Sequence, residues 1–186
     1  GIEKLRSQER VNRLEVDKVV NFCLKESKVQ TLLDIGTGSG LFAEAFIKAG
    51  ILVSGIDLNE DMISAAKKYL PECDLKHAVA KNIPFEDNKF DASFFGLVFH
   101  EVSDYKKALS EAFRVSQFKT FILEWKYKTE NFGPPIEHRL KSKYIKRLSE
   151  EIGYKRISDI SLSNLVLFEL EKENKDNDWK NFNSEY

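Results

Sequence analysis

Three glycines at alternate positions, Gly36, Gly38 and Gly40, follow an apolar run that contains an acidic residue, Asp34. Glycine has no Cβ and readily adopts positive φ, so a ligand can lie against the backbone where a strand turns into a helix. A second apolar run ends in Asp57, about 20 residues after the first glycine, where a nucleotide-binding βαβ unit places a carboxylate beside ribose hydroxyls. A tight turn without a ligand is the alternative. The complete order of strand, glycine loop, helix, strand and acid favours a nucleotide site.

The residues around the loop separate two classes of nucleotide. A dinucleotide fingerprint needs its third glycine at position 41, where this chain has Leu41. A carboxylate at Asp34 would repel a pyrophosphate but would favour a sulfonium or ammonium group. The pattern therefore favours a cationic nucleotide cofactor over NAD.

These motifs resemble those of the class I S-adenosylmethionine-dependent methyltransferases, in particular the small-molecule branch that includes ubiquinone and menaquinone biosynthesis enzymes, methyltransferase type 11. The resemblance extends from about Val29 to Glu171. It implies S-adenosyl-L-methionine as cofactor and S-adenosyl-L-homocysteine as product, with the loop holding the methionine part and Asp57 binding both ribose hydroxyls. The cofactor-binding residues that it implies are Asp34, Gly36, Thr37, Gly38, Gly40, Asp57, Leu58, Met62, Ala80, Lys81, Phe95, Gly96 and Leu97.

The adenine end of the resemblance contains a departure. Leu58 and Met62 match apolar positions that sandwich the adenine, although core packing would also explain Met62. Residues 78–85 resemble a family segment whose aspartate accepts a hydrogen bond from the adenine amino group, but Val79 stands at that position. We therefore expect backbone groups of Ala80 and Lys81 to contact the adenine edge.

Two residues are candidates for acid–base chemistry at the methyl end. Methyl transfer from a sulfonium mainly needs proximity, orientation and a dry site, and a base is optional. His100 follows the predicted fourth strand, and Glu124 lies at the carboxyl end of the fifth, so either can face an acceptor proton. A structural histidine and a pocket-wall histidine are the alternatives. We favour the pocket-wall role for His100.

Residues 126–147 carry seven Lys or Arg against two acids, with a Gly-Pro-Pro turn that predicts a loop near the rim of the site. This segment is either a solvated basic face or a surface that attracts an anionic acceptor. Trp125 and Tyr127 precede it and either wall an aromatic acceptor or belong to the core.

Alternating strand and helix patterns predict an α/β fold, a doubly wound, seven-stranded, mostly parallel sheet with helices on both faces and an antiparallel C-terminal hairpin. We expect one methyltransferase domain over residues 1–171, with residues 1–26 as a helical lid. Ser103 and Ser142 are predicted to cap helices, and residues 119–127 to form the fifth strand.

The last residues, 172–186, are polar and predict a weakly ordered tail. Its aromatic residues, Trp179, Phe182 and Tyr186, can dock onto the domain or onto a neighbouring subunit.

The composition limits the kinds of partner that we expect for the chain. The formal net charge is −1 over 186 residues, which gives no global field to recruit nucleic acid or a membrane. Cys23 and Cys73 lack paired spacing and are expected to be reduced thiols. We find neither an apolar run of membrane-spanning length nor a signal peptide, and therefore expect a cytoplasmic protein that binds a small molecule and holds no metal.

Three functions compete at this point. The first is an S-adenosylmethionine-dependent methyltransferase acting on a small molecule, and the second is an NAD-dependent oxidoreductase, which Asp34 and Leu41 disfavour. The third is a non-catalytic module that binds a cofactor or a partner, favoured only by the absence of a clear acceptor motif. We expect the first.

Overall fold

The computed structural model describes residues 1–173, so Trp179, Phe182 and Tyr186 lie outside the described residues. The strands are β1 (Thr31–Ile35), β2 (Leu52–Asp57), β3 (Asp74–His77), β4 (Phe90–Gly96), β5 (Ser116–Trp125), β6 (Arg156–Ser161) and β7 (Leu165–Glu171). The helices are α1 (Ile2–Leu5), α2 (Gln8–Leu14), α3 (Val16–Leu24), α4 (Leu41–Lys48), α5 (Glu60–Tyr69), α6 (Tyr105–Val115) and α7 (Ser142–Ile152). Short 3-10 turns cover Phe99–Glu101 and Ile136–His138. Among residues 1–173, none of the helices combines the length and the apolar character needed to cross a membrane.

The strands form one sheet in the order β3-β2-β1-β4-β5-β7-β6. The pairs from β3 through β5 are parallel, whereas β7 runs antiparallel to both β5 and β6. The predicted fold, including the C-terminal hairpin, is confirmed. The chain continues from β1 to β2 on one side of β1, and β4 lies on the other side of β1. At such a reversal of strand order, a crevice opens outside the carboxyl ends of the strands.

Each central strand is buried on both faces, which explains its nearly continuous apolar sequence. In β1, Leu32 packs with α3, α4 and α5, while its neighbour Leu33 packs with α6 and α7. In β4, Phe94 and Phe95 divide between the same two clusters. The alternation fixes which strand residues can reach the crevice and which lie beneath the helices.

Two predicted helix caps are wrong. Asp104, and not Ser103, caps α6, because its carboxylate accepts a hydrogen bond from the backbone N–H of Lys107 at 2.9 Å. Ser142 is the first residue of α7 rather than its cap, and the capping position belongs to Lys141, which makes no side-chain capping bond. A serine before an apolar stripe therefore locates each helix start only to within one residue.

The fifth strand begins earlier and ends earlier than predicted. It starts at Ser116, and its pairing with β4 shifts register where Phe90 lies opposite Ser116 and Ala92 lies opposite Lys119. The extra residue on β5 is a bulge at the connection where a shift was expected. A buried hydroxyl chain from Ser116 through Ser93 to Thr120 satisfies the polar side chains beside this bulge.

The predicted tail is anchored at its first residue. The ammonium group of Lys172 donates hydrogen bonds to the carbonyl oxygens of Phe113 and Ser116, both at 2.8 Å. Ordered structure therefore extends past β7 by at least this residue.

Candidate active site

A cavity of about 650 Å³ lies at the carboxyl ends of β1, β2 and β4. This volume falls within the range of small-molecule pockets, about 300 to 1,000 Å³. The walls come from the glycine loop, the end of β2, residues 78–81, the end of β4, residues 101–104 and the N-terminal helices.

The three glycines of the loop are required for different reasons. All three have positive φ. A Cβ at Gly36 would lie 2.6 Å from a Val98 methyl carbon, and one at Gly40 would lie 2.8 Å from a Leu70 methyl carbon. A Cβ at Gly38 would meet no described atom within 4 Å, and Gly38 lines the cavity. Gly38 therefore leaves space for a ligand.

Gly40 does not belong to the cavity wall, so the structure does not bring this predicted binding residue to the cavity. Its position at the start of α4 faces the side chains of Ala66 and Leu70, from α5 and the residue that follows it. Glycine is needed there because the two helices approach closely.

Asp57 has the geometry to hold a diol. Its Oδ2 accepts a hydrogen bond from the backbone N–H of Gly38, and its Oδ1 accepts one from that of Asn59, both at 2.8 Å. A carboxylate has about four acceptor positions, so about two remain for ligand hydroxyls. The same contacts join the end of β2 to the glycine loop, which fixes the carboxylate in place.

Asp34 is almost completely buried, with 2% of its surface exposed, although it forms part of the cavity wall. It accepts a hydrogen bond from the Thr37 hydroxyl at 2.7 Å. Burial raises the pKa of Asp34 to about 7, against the smaller opposing effect of the Thr37 bond. Because a nearby cation favours the ionised form of a carboxyl group, Asp34 is poised to respond to a cationic ligand.

The far end of the cavity has the predicted apolar and backbone surfaces. Leu58 remains 69% exposed, as expected for a residue that would cover a ligand rather than fill the core. Met62, Ala80 and Lys81 also line this end, together with Val79 at the position of the family aspartate.

At the end of β4, two of the three predicted residues lie in the cavity wall. Gly96 and Leu97 line the cavity, and Leu97 adopts a left-handed conformation with φ of 61°. Such a conformation is uncommon for a branched residue and is found where surrounding contacts enforce it. Phe95 is on the opposite face of the sheet, fully buried and 5.1 Å from Phe99 between ring centroids, so its predicted cavity contact is wrong.

His100 and Glu124 contact each other rather than the cavity. The Nδ1 of His100 lies 3.0 Å from both carboxylate oxygens of Glu124, and the backbone N–H of His100 donates to Oε1 at 2.9 Å. Their side chains are 6% and 2% exposed. Burial alone would lower the pKa of His100, but the hydrogen bond and charge of Glu124 raise it.

This pair ties the turn after β4 to the end of β5. Neither residue is among the cavity-lining residues of the described chain, so the predicted pocket-wall role of His100 is wrong. The adjacent Glu101 does line the cavity, and its Oε1 lies 3.6 Å from His100 Nε2. The catalytic assignments of His100 and Glu124 remain predictions, and the geometry supports positioning of the residue 101–104 turn.

The basic segment 126–147 folds onto itself beside β5. The Arg139 guanidinium donates to three carbonyl oxygens, those of Phe132, Pro134 and Lys126, at 2.6, 2.9 and 3.0 Å. Trp125 is buried and packs against Phe132. Within residues 1–173, no member of the segment lines the cavity, so the structure does not bring it to the site.

Sequence inspection missed several wall residues. Leu5, Arg10 and Leu14 reach the cavity from the N-terminal helices, and residues 101–104 reach it from the turn after β4. The i, i+4 spacing of Arg10 and Leu14 places them on one face of α2, but that spacing does not reveal which surface α2 covers.

Three comparisons place this geometry among known proteins. A family model described as a methyltransferase domain matches residues 33–119. A demethylmenaquinone methyltransferase from Renibacterium salmoninarum is 34% identical over 107 residues, which cover 56% of this chain and 44% of that enzyme. A malonyl-[acyl-carrier protein] O-methyltransferase from Buchnera aphidicola is 28% identical over 142 residues, which cover 74% of this chain and 56% of that enzyme. The chain thus spans less than two thirds of the length of either curated relative.

The crystal structure of a SAM-dependent methyltransferase from Aquifex aeolicus superimposes with a TM-score of 0.79 at 27% identity, covering 92% of this chain and 97% of the other. In sequence and in fold, the chain is similar to S-adenosylmethionine-dependent methyltransferases. The cavity lies at the reversal between β1 and β4, where a doubly wound sheet places its ligand crevice. Within the cavity wall, four acids, Asp34, Asp57, Glu101 and Asp104, accompany two basic residues, Arg10 and Lys81.

Proposed function

We propose that the protein transfers the methyl group of S-adenosyl-L-methionine to a small-molecule acceptor. The observation that carries this proposal is the joint geometry of Gly38 and Asp57. Gly38 leaves open space beside the backbone, and Asp57 is fixed against the same loop with acceptor positions to spare for a ribose diol.

Different residues of the cavity wall bind three parts of the cofactor in this proposal. The loop from Asp34 to Gly38 receives the amino-acid part, Leu58 and Met62 cover the adenine, and backbone groups of Ala80 and Lys81 lie at its edge. Gly96 and Leu97 face the methyl end. When bound, the cofactor supplies a sulfonium whose methyl group is transferred, and the protein's residues hold it, orient it and exclude water.

The charge of the wall supports a cationic cofactor. With four carboxyl groups against two basic side chains, the cavity stabilises positive charge near the loop. The buried carboxyl of Asp34 is available to ionise when an ammonium group approaches it.

The N-terminal helices, within residues 1–26, act as a lid in this proposal. Arg6 follows α1, and its guanidinium donates a hydrogen bond to the Ser39 carbonyl at 2.7 Å and forms an ion pair with Glu44. It also stacks on the Tyr69 ring, 3.9 Å from the centroid. These contacts hold α1 against the glycine loop, where Leu5 covers part of the cavity.

The acceptor is a small molecule with an apolar body, since Leu5, Leu14 and Phe42 form much of the wall that the cofactor-binding residues leave free. The curated relatives act on demethylmenaquinone and on a malonyl group. By analogy with these names, we propose a quinone-like or carboxylic acid acceptor. We infer a cytoplasmic location, because Cys23 and Cys73 are free thiols, as is usual for proteins of a reducing compartment.

The test is calorimetry of the purified chain with S-adenosylhomocysteine and, separately, NAD. We expect binding of the first with a 1:1 stoichiometry and none of the second. Turnover is then measured with methyl-labelled cofactor against a panel of quinols, phenols and carboxylic acids. Binding of NAD without S-adenosylhomocysteine would refute the proposal, and binding without turnover on any acceptor would favour a non-catalytic module.

A further inference from the structure

One arginine of the described chain lacks an acceptor. Residues 1–173 contain seven arginines, and six of them contact carboxylates or carbonyl oxygens: Arg6, Arg13, Arg114, Arg139, Arg147 and Arg156. The seventh, Arg10, makes no side-chain hydrogen bond or ion pair with any described residue. It is half-buried and lines the cavity.

The position of α2 determines which part of the cavity Arg10 faces. Arg6, before α2, is bonded to the glycine loop. At the other end of α2, Arg13 lies 5.0 Å from the Phe132 ring centroid beside β5, and the Glu15 carboxylate accepts a hydrogen bond from the backbone N–H of Ser163. Arg10 therefore lies between the glycine loop and the end of β5, whereas Asp57 lies at the end of β2, on the other side of the glycine loop in the strand order.

The half-buried guanidinium of Arg10, which has no partner among residues 1–173, is suited to bind an anionic ligand. Burial and the charge of Arg13 lower the pKa of Arg10, yet an arginine remains protonated at neutral pH. Partial removal from water costs free energy that an opposite charge offsets. The guanidinium fork matches a carboxylate with two parallel hydrogen bonds.

We propose that Arg10 is a specificity-determining residue that binds a carboxylate of the methyl acceptor. This inference rests on the proposed function, since it needs the cofactor to occupy the Asp57 side of the cavity. It also replaces the basic segment 126–147 as the source of affinity for an anionic acceptor, because Arg10 lies in the cavity wall and that segment does not.

The experiment compares Arg10→Gln with Arg13→Gln, which removes a neighbouring charge from the same helix without touching the cavity wall. Each protein is saturated with S-adenosylhomocysteine and titrated by calorimetry with two acid and amide pairs, benzoate with benzamide and 1-naphthoate with 1-naphthamide. We expect the wild type and Arg13→Gln to bind at least one acid tenfold or more tightly than its amide. Arg10→Gln should lose that preference while binding the amide unchanged.

A second titration distinguishes the acceptor carboxylate from that of the cofactor. S-adenosylhomocysteine has an amino-acid carboxylate, whereas 5′-methylthioadenosine lacks it. If Arg10→Gln lowers the affinity for S-adenosylhomocysteine by tenfold or more but leaves that for 5′-methylthioadenosine unchanged, the guanidinium binds the cofactor and our proposal is overturned. Absence of any acid preference in the cofactor-loaded wild type also overturns it, and leaves the proposed function standing. Failure of the wild type to bind S-adenosylhomocysteine refutes both.

Discussion

The two halves of the cavity are built in different ways. On the β2 side, the glycine loop, Asp57 and Asn59 are joined by short hydrogen bonds within one strand, loop, helix and strand unit. On the β5 side, the wall comes from α2 and from a turn that His100 and Glu124 hold from behind. The first half is held by its own hydrogen bonds, whereas in the second half Arg10 makes no side-chain hydrogen bond or ion pair with residues 1–173. The half that would bind the cofactor is therefore built separately from the half that would bind the acceptor, so the second can change without disturbing the first.

The largest expected effect is on the cofactor half. Gly38→Val places a branched side chain in the open space beside the loop, so binding of S-adenosylhomocysteine should be abolished. Gly50→Val is the matched control, since Gly50 also has positive φ and no described atom within 4 Å of a built Cβ, but does not line the cavity. Both variants carry similar backbone strain and should show similar losses of melting temperature. Retention of affinity within about threefold in Gly38→Val, under 1 kcal/mol, would show that the loop does not contact the ligand.

Asp57→Ala should weaken the binding of S-adenosylhomocysteine by about 2 to 4 kcal/mol, because the charged group that accepts hydrogen bonds from two hydroxyls is removed. Asp57→Asn should lose less, since its amide oxygen still accepts. Calorimetry on folded protein measures both, and Asp61→Ala, an exposed acid in the first turn of α5, is the control. Equal affinity in the wild type and both Asp57 variants would remove the ribose assignment.

The sequence predicted the cofactor half better than the acceptor half for a physical reason. Gly38 and Asp57 belong to a local strand, loop and helix pattern, and their roles follow from its geometry. His100 and Glu124 are 24 residues apart and meet only because β4 and β5 are neighbours. Arg10 reaches the cavity from a helix outside the sheet, and no periodicity states where that helix packs.

For Phe95 and Gly40, the sequence itself contained evidence against a place in the cavity wall. Phe94 and Phe95 are adjacent in a strand, so they must face opposite sides, and only one side of β4 can continue into the wall formed by Gly96. Gly40 repeats the spacing of the loop glycines but lies at the start of α4, where close approach to α5 explains it. The fold itself followed from the alternation of elements, which local patterns encode throughout the chain.

On the acceptor half, His100→Gln tests positioning against catalysis. Removing the imidazole that Glu124 binds should lower the free energy of unfolding by about 1 to 3 kcal/mol. The pKa of His100 is raised in the folded state, so its stabilising contribution is complete below its unfolded pKa and is lost as pH rises through the folded value. The stability difference between wild type and variant should therefore shrink from pH 5.5 to pH 9 in denaturant titrations.

A catalytic base at His100 gives a different signature. It would leave stability and cofactor affinity nearly unchanged and lower turnover by about 100-fold or more. It would also remove an ionisation from the pH profile of turnover. Such a result would contradict the positioning role and would restore His100 as a group that faces the acceptor.

The smallest expected effect is the pH dependence of cofactor affinity that the buried carboxyl group of Asp34 causes. With a pKa of about 7, the group is mostly protonated at pH 6 and mostly ionised at pH 8. If the ammonium group of S-adenosylhomocysteine favours the ionised form, affinity should rise over this range by at most about tenfold, about 1.4 kcal/mol. Asp34→Asn keeps an acceptor for the Thr37 hydroxyl and should flatten the dependence. Because 5′-methylthioadenosine lacks the ammonium group, its affinity for the wild type should show no such rise, and an equal rise for both ligands would assign the titration to another group.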